Sequence, residues 1–370
     1  MKFFGRKAAR ETGRPFLFAG WRGMFSPEPW PRSYEAQVRE AYLANPVAQR
    51  AVRLVAESVA WAPVFGGDGD AREVALVTPA LLESAATQLL LHGNAFVRVL
   101  QDGEGAPAEL FAMRPERVTI EADAGGWPAA YLYRVGEAKS RIPAKDGLGR
   151  PELVHIKTAH PLDDHYGLGC LGAAAGAVAV HNGAAKWNKA LLDNAARPSG
   201  ALVYEPGDGA ALSAEQFARL RTEMEAQFSG SQNAGRPLLL EGGLKWQAMS
   251  LTPAEMDFVG LKAAAAREIA LAFGVPPMLL GLPGDATYAN YREANRALWR
   301  LTVLPLAGKI LRALSAALAA WRPGLSLAVD TDQISALAAD RERLWRQVTA
   351  ADFLSDEEKR DMLGFGSARP

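Results

Sequence analysis

His155, His160, Asp163, Asp164 and His165 bring three imidazoles and two carboxylates into a short stretch of chain. These are the ligand types of a hydrolytic metal site, so a metal-dependent hydrolase built on His155, His160, Asp163 and His165 is one reading. The spacing argues against it. No pair matches a helix face, Pro161 interrupts the run, and no cysteine contributes. A polar loop that fixes the start of the following helix is the better account. Asp330 and Asp332 form a D-x-D pair without the later Gly and Glu of a calcium loop, and read as a strand end plus the N-cap of a helix at Gln333. The single cysteine, Cys170, rules out an internal disulfide framework and reads as a small buried side chain at a helix start. There is no Walker A sequence, no Gly-x-Gly-x-x-Gly after a strand and no Gly-x-Ser-x-Gly elbow; the glycines at 66, 67 and 69 read as a turn. The chain reads as neither an ATPase nor an enzyme, and no cofactor is expected.

Arg292, Arg296 and Arg300 recur at i, i+4 and i+8, on one face of a helix. They are either a solvated face with salt bridges to a neighbour, or a basic ring if cyclic symmetry repeats them around an axis. Lys186, Lys189 and Arg197 raise the same two readings.

Composition narrows the choice. The 370 residues are 49% apolar and 22% charged, which are globular values, and 41 basic residues balance 41 acidic ones. A protein that grips nucleic acid by its phosphates carries a basic excess, so zero net charge fits one that lets DNA slide past. The longest apolar stretch, 168–180, is too short to span a bilayer and no signal-peptide core is present, so the expectation is a soluble chain made in the cytoplasm.

The elements follow from caps and periods. Residues 1–32 mix Arg, Pro, Gly and aromatics without period and read as a flexible arm. A helix is expected from Pro46 to Ala60, with Val47, Ala51, Leu54, Val55 and Ser58 on its stripe. Another runs from N-cap Thr78 to His92, stopped by Gly93. Five strands then follow, 95–100, 108–113, 118–123, 130–135 and 152–157, expected as one antiparallel sheet. A Gly/Ala-rich helix spans Leu168 to Asn194. After it come strands around ALVYEP, PLLLEG and KWQAMS and a capped helix from Ser213 to Phe228. Thr252, Pro253 and Glu255 form a capping box for a helix that Gly274 and Pro276-Pro277 end at Phe273. A last long helix begins near Tyr288 and runs to Trp321 with a kink at Pro305; Leu304, Ala307, Leu311, Leu314, Leu318 and Trp321 form its packing seam. A strand, LSLAV, and two short helices complete an α+β chain.

The wording FGVPPMLLG followed by GDATYAN resembles the portal proteins of tailed phages, in the long-tailed, lambdoid-type branch. HPLDDHYGLGCL, KWNKALLDNAARPSGAL, FSGSQNAGRPLLLEGGLKW and LSDEEKRDMLGF resemble further family segments, so the likeness covers roughly Asn45 to Phe365. The Ala/Arg-rich wording and compact length are similar to the version carried by gene transfer agents.

The resemblance implies an elongated protomer. Its parts would be an arm (1–32), a wing of helices and antiparallel sheet (33–167), a first stem helix (168–196) and a small α/β clip (197–251). A second stem helix (252–273), a tunnel loop with a long kinked helix (274–322) and a crown-like region (323–370) would follow. It further implies a homododecameric ring at one capsid vertex of the virion, contacting the major capsid protein. The large terminase and then a head–tail adaptor would dock on the clip, with double-stranded DNA passing through without sequence specificity and no membrane involved. The tunnel loop would be Gly281, Leu282, Pro283, Gly284, Asp285, Ala286, Thr287 and Tyr288, with Arg292, Arg296 and Arg300 behind it. Phe217, Arg219 and Arg221 would face the clip's partner. A cytosolic helical scaffold without a DNA role remains an alternative; the oligomer separates the two.

Overall fold

The computed structural model describes residues 33–67, 69–193, 200–204, 213, 215–220, 222, 244–248, 257–282 and 287–363. The chain enters through a short helix, α1 (Tyr34–Val38), that widens into a π turn (Arg39–Leu43). Helix α2 (Pro46–Ala60) then starts at Asn45, whose Oδ1 accepts from the amides of Val47 and Ala48, each at 3.0 Å. Its buried stripe is Ala48, Ala51, Val52, Val55, Ala56 and Val59, so Val47 and Leu54 lie at its edge rather than on it. Ser58 turns back to the Leu54 carbonyl at 2.7 Å. After a short strand, β1 (Val64–Phe65), and helix α3 (Ala71–Leu76), helix α4 (Pro79–Leu91) opens on Thr78, whose hydroxyl accepts from Leu81 N. Gly93, at φ +83°, ends it as expected.

The strands form two sheets, not one. Strands β2 (Asn94–Gln101), β3 (Pro107–Met113) and β7 (Leu153–Lys157) pair in the order β3-β2-β7. Strands β4 (Val118–Ala122), β5 (Pro128–Val135) and β6 (Ala138–Pro143) make the other antiparallel sheet. The polar run AKSRIP of β6 carries no strand signature, which is why the sequence reading passed over it; it is an edge strand exposed at Ala138, Lys139, Ser140 and Arg141. The break between the sheets falls at the 3-10 turn Pro115–Arg117, where proline removes a ladder amide.

Strand alternation divides the core in two. In β2, Ala95, Val97 and Val99 point into the helical layer with Leu82, Leu89 and Ile310, whereas Phe96 points the other way. There it packs with Met113, Tyr131, Ile142 and Leu153 between the two sheets. A strand buried on both faces reads as a continuous apolar run, which β2 shows.

Helix α5 (Leu171–Asp193) begins three residues later than expected. The preceding glycines are pressed against the end of α4: a Cβ on Gly167 would lie 2.1 Å from Gly93 O, and one on Gly169 2.3 Å from Leu91 O. Only glycine permits this approach. Helix α6 (Phe258–Ala272) packs along α5, with the Trp187 and Phe258 rings stacked at 6.1 Å. Its described start is capped by Asp257; the expected capping box at Thr252 and Glu255 lies outside the described residues. Asn45 also ties α5 to the N-terminal helices. Its Nδ2 donates to Asn182 Oδ1 at 2.8 Å and to His181 Nδ1 at 3.2 Å, and Asn182 Nδ2 donates to the Glu40 carbonyl.

Strands β8 (Gly200–Tyr204) and β9 (Leu244–Ala248) pair antiparallel, with Leu202 opposite Trp246. PLLLEG lies outside the described residues. Helix α7 (Tyr288–Leu298) passes through a π turn (Trp299–Val303) into α8 (Leu304–Leu318), one run of 31 residues. Pro305, at the head of α8, lacks an amide, and the π turn just before it is where the ladder adjusts. By length and composition this run could cross a membrane, a candidate longer than 168–180, with a third of its most apolar window buried in the fold. Ala307, Leu311, Leu314 and Leu318 of the expected seam are buried, joined by Ile310 and Ala317, while Leu304 and Trp321 are half-buried.

LSLAV contributes only β10 (Ala328–Val329), paired with β1. Asp330 caps a 3-10 turn (Thr331–Gln333) rather than a helix, accepting from Asp332 N at 3.0 Å. Helices α9 (Ala338–Thr349) and α10 (Asp356–Met362) close the described chain, the latter with a Ser355/Glu358 capping box.

Candidate functional site

The His/Asp cluster does not converge. His155 stacks on Phe96 with ring centres 4.3 Å apart, and its Nε2 donates to Asn94 Oδ1 at 2.9 Å. Burial, with lesser repulsion from Lys157, His92 and His165, depresses its pKa to about 4, so the ring is neutral near pH 7. His160 Nδ1 accepts from Leu162 N, and Asp163 Oδ1 accepts from His165 N and Tyr166 N. Those two amides also hold the Asp163 carboxyl below the usual range. Among the described residues no three His, Cys, Asp or Glu side chains are placed to hold a metal ion. The metal alternative finds no support among the described residues, where these groups close a loop. Burial pushes the half-buried Cys170 thiol up, away from thiolate reactivity.

What the loop closes onto is Asn94, which precedes the strand expected at 95–100 and drew no reading from sequence. It is fully buried. Its Oδ1 accepts from Gly167 N at 2.7 Å while its Nδ2 donates to Gly167 O at 3.1 Å and to His92 Nδ1 at 3.0 Å. Thr158 N donates to Gly93 O, and Cys170 N donates to Leu90 O at 2.8 Å. One asparagine thus joins the end of α4, strand β7 and the approach to α5. Its side chain offers both donor and acceptor, and a buried position with every bond made fixes a single geometry.

The second place is the connection from α6 to α7. Phe273 N and Val275 N return to the end of α6, and Gly274 takes φ +66°. Thr302 of the π turn donates its hydroxyl to Gly274 O at 2.7 Å, pinning the turn to the long helix. A 3-10 turn (Pro277–Leu280) follows and ends on Gly281 at φ +73°. Leu282 is half-buried, and Pro283, Gly284, Asp285 and Ala286 lie outside the described residues. Thr287 caps α7 by accepting from Asn290 N at 3.2 Å, and Tyr288 is exposed.

The three arginines behind this loop are not equivalent. Arg292 is exposed and lies over the Tyr288 ring at 5.5 Å. Arg296 is mostly covered: it pairs with Glu293 and donates to Asp340 of α9 at 3.1 Å. Arg300 is exposed, in the π turn that follows α7. Two exposed arginines thus flank one that is salt-bridged within the chain. Of the third group, Phe217 and Arg219 are exposed on a helical segment, 215–220, begun by Ser213. Arg221 lies outside the described residues.

Comparison with known proteins supplies what geometry alone does not. The phage portal protein family matches residues 46–364. A chain in the virion of a native gene transfer agent particle, and in the neck of that particle computed with C12 symmetry, is 47% identical. In both cases 90% of this chain and 94% of that chain are covered, with a TM-score of 0.68. An HK97-family phage portal protein from Corynebacterium diphtheriae shares the fold, with a TM-score of 0.58 at 19% identity over 82% of this chain and 97% of its own. An uncharacterized protein of Rickettsia felis is 39% identical over 342 residues, 88% of each chain.

Proposed function

We propose, from the premise that this chain belongs to the phage portal protein family, that twelve copies form the ring through which double-stranded DNA enters and leaves a particle. The observation that carries this is the 47% identical chain of the C12-symmetric particle neck, nearly all of which this chain covers. The same likeness favours a gene transfer agent over a phage as the vehicle, and the capsid vertex as its place.

The physical reading is of a passive conduit with no catalytic step. Net charge is zero. The tunnel loop, Gly281 to Tyr288, carries one acid, Asp285, and no Lys or Arg. DNA presents about one charge per 1.7 Å, so cations repeated around a ring would hold it strongly and salt-dependently. Pairing Arg296 inwards with Asp340 removes one such ring, leaving Arg292 and Arg300 as weak, spread contacts. The clip, around Phe217, Arg219 and Arg221, docks the large terminase during packaging and a head–tail adaptor afterwards, while the wing meets the major capsid protein.

The test is the purified full chain under light scattering and negative-stain imaging. Rings with twelve-fold class averages and a central hole are expected. A monomer or dimer without a hole would overturn the reading.

A further inference from the structure

A cleft of 570 Å³ opens where the described chain begins. Tyr34, His92, Pro115 and Tyr166 line it, with the Glu116 carboxylate among them. Its size falls within the roughly 300–1,000 Å³ of clefts that take a ligand. The aromatic lining is held in place. Tyr34 and His92 meet edge to face with ring centres 4.6 Å apart, and the Tyr166 hydroxyl accepts from Ile120 N at 3.0 Å.

The cleft also carries polar groups with bonding capacity to spare. Asn94 Oδ1 accepts from Gly167 N and from His155, which fixes Asn94 Nδ2 as the donor to His92 Nδ1. Burial lowers the His92 pKa against an opposing pull from Glu116, so the ring is neutral near pH 7 and its proton sits on Nε2. Among the described residues neither that N–H nor the Tyr34 hydroxyl has a hydrogen-bond partner. Glu116 is paired only loosely, with Arg114 at 3.8 Å. An N–H, a hydroxyl and a carboxylate around an aromatic floor suit a peptide that brings a carbonyl, an apolar ring and a donor.

Such a peptide leads directly into the cleft. Residues 27–32 read PEPWPR. Prolines at 27, 29 and 31 fix their own φ and bar the residue before each from the helical region, so the run favours an extended backbone. Ser33, on the rim of the cleft, continues it with polyproline II values, φ −80° and ψ 142°. Every second amide is missing, so the run is unfit to add a strand to a sheet edge. Proline-rich segments are instead recognised by aromatic-lined grooves, and a pre-set backbone loses little entropy on docking. At about 3.1 Å per residue, six residues extend about 19 Å from the rim, with no linker needed.

We propose that residues 27–31 dock in this cleft of their own chain, with the Trp30 ring on its aromatic floor and Glu116 accepting from the indole N–H. His92 Nε2 then donates to a carbonyl of the run. The segment before residue 27 is thereby anchored at the joint around Asn94 and Gly167 that sets the approach to α5. The docking is within one chain and does not rest on the portal reading.

Photo-crosslinking of the full chain tests it, with benzoylphenylalanine in place of Trp30 and mass spectrometry of the products. Crosslinks are expected within one chain, to residues 115–118 or 166–167. Crosslinks elsewhere in the chain, or none, would overturn the docking. So would a crosslinked dimer, which would give the cleft to the arm of a second copy. Trypsin supplies an independent reading. In the wild type, cleavage after Arg32 should be about tenfold slower than after Arg22, because only the undocked fraction is cut. Trp30→Ser should bring the two rates together with an unchanged circular-dichroism spectrum. Equal rates in the wild type, or a gap that survives Trp30→Ser, would overturn the docking as well.

Discussion

Arg296 on α7 reaches Asp340 on α9 at 3.1 Å, joining the helix that follows Thr287 to the C-terminal helices. Glu293 holds the same guanidinium from one turn earlier on α7. Both partners of the Arg296–Asp340 pair are partly covered, so the bridge is worth more than a fully exposed one and less than a buried one, about 1 kcal/mol. Arg296→Ala should lower the melting temperature by a few degrees, and a double-mutant cycle with Asp340→Ala should show coupling. Arg292→Ala and Arg300→Ala should leave stability unchanged. Additive losses in the cycle would place Arg296 outside this clamp.

Stability should respond to acid through His155. Its folded pKa, about 4, lies below the ordinary imidazole value of roughly 6.5. The neutral ring is the native form, so its contribution is complete above the unfolded value. It is lost as pH falls from there towards 4, by about 1.4 kcal/mol per pH unit at most. Melting between pH 7 and 4.5 should fall more steeply for the wild type than for His155→Gln, which does not titrate. Parallel curves would show that His155 titrates alike in both states.

Leu311 is 1% exposed in the centre of α8. Leu311→Ala should destabilise the protomer by about 2–5 kcal/mol, through lost transfer energy and the cavity left behind. Denaturant melts measure it directly. A loss below about 1 kcal/mol would contradict the packing.

Asp285 lies in the proposed tunnel loop, beyond the described residues, and its proposed role rests on charge alone. Asp285→Lys turns one negative ring into a positive one. Rings should assemble normally, while DNA packaging slows and becomes salt-dependent. Unaltered titre and DNA content per particle would remove this loop from the channel.

Phe217 and Arg219 stand exposed on the segment proposed as the clip. Arg219→Glu, alone or with Arg221→Glu, should reduce packaging severalfold while rings still form, because it alters a docking face rather than a core. Loss of rings would make the segment a contact between subunits instead.

The sequence by itself determined the local elements. Thr78 announces a helix start because a short polar side chain satisfies amides that no preceding turn can. Gly93 and Gly274 announce stops because they take positive φ. The apolar periods of α2 and α8 were legible for a similar reason: a helix face recurs every three or four residues whatever it packs on. Tertiary structure decided the rest. That β2 through β7 split into two sheets depends on where Phe96 and Ala95 point, and strand propensity does not record it. That His155 is held by Asn94, distant in sequence, depends on the pairing of β2 with β7. That Arg296 is neutralised depends on Asp340, forty-four residues away. Spacing along the chain fixes which side chains share a face, but only packing decides what that face meets.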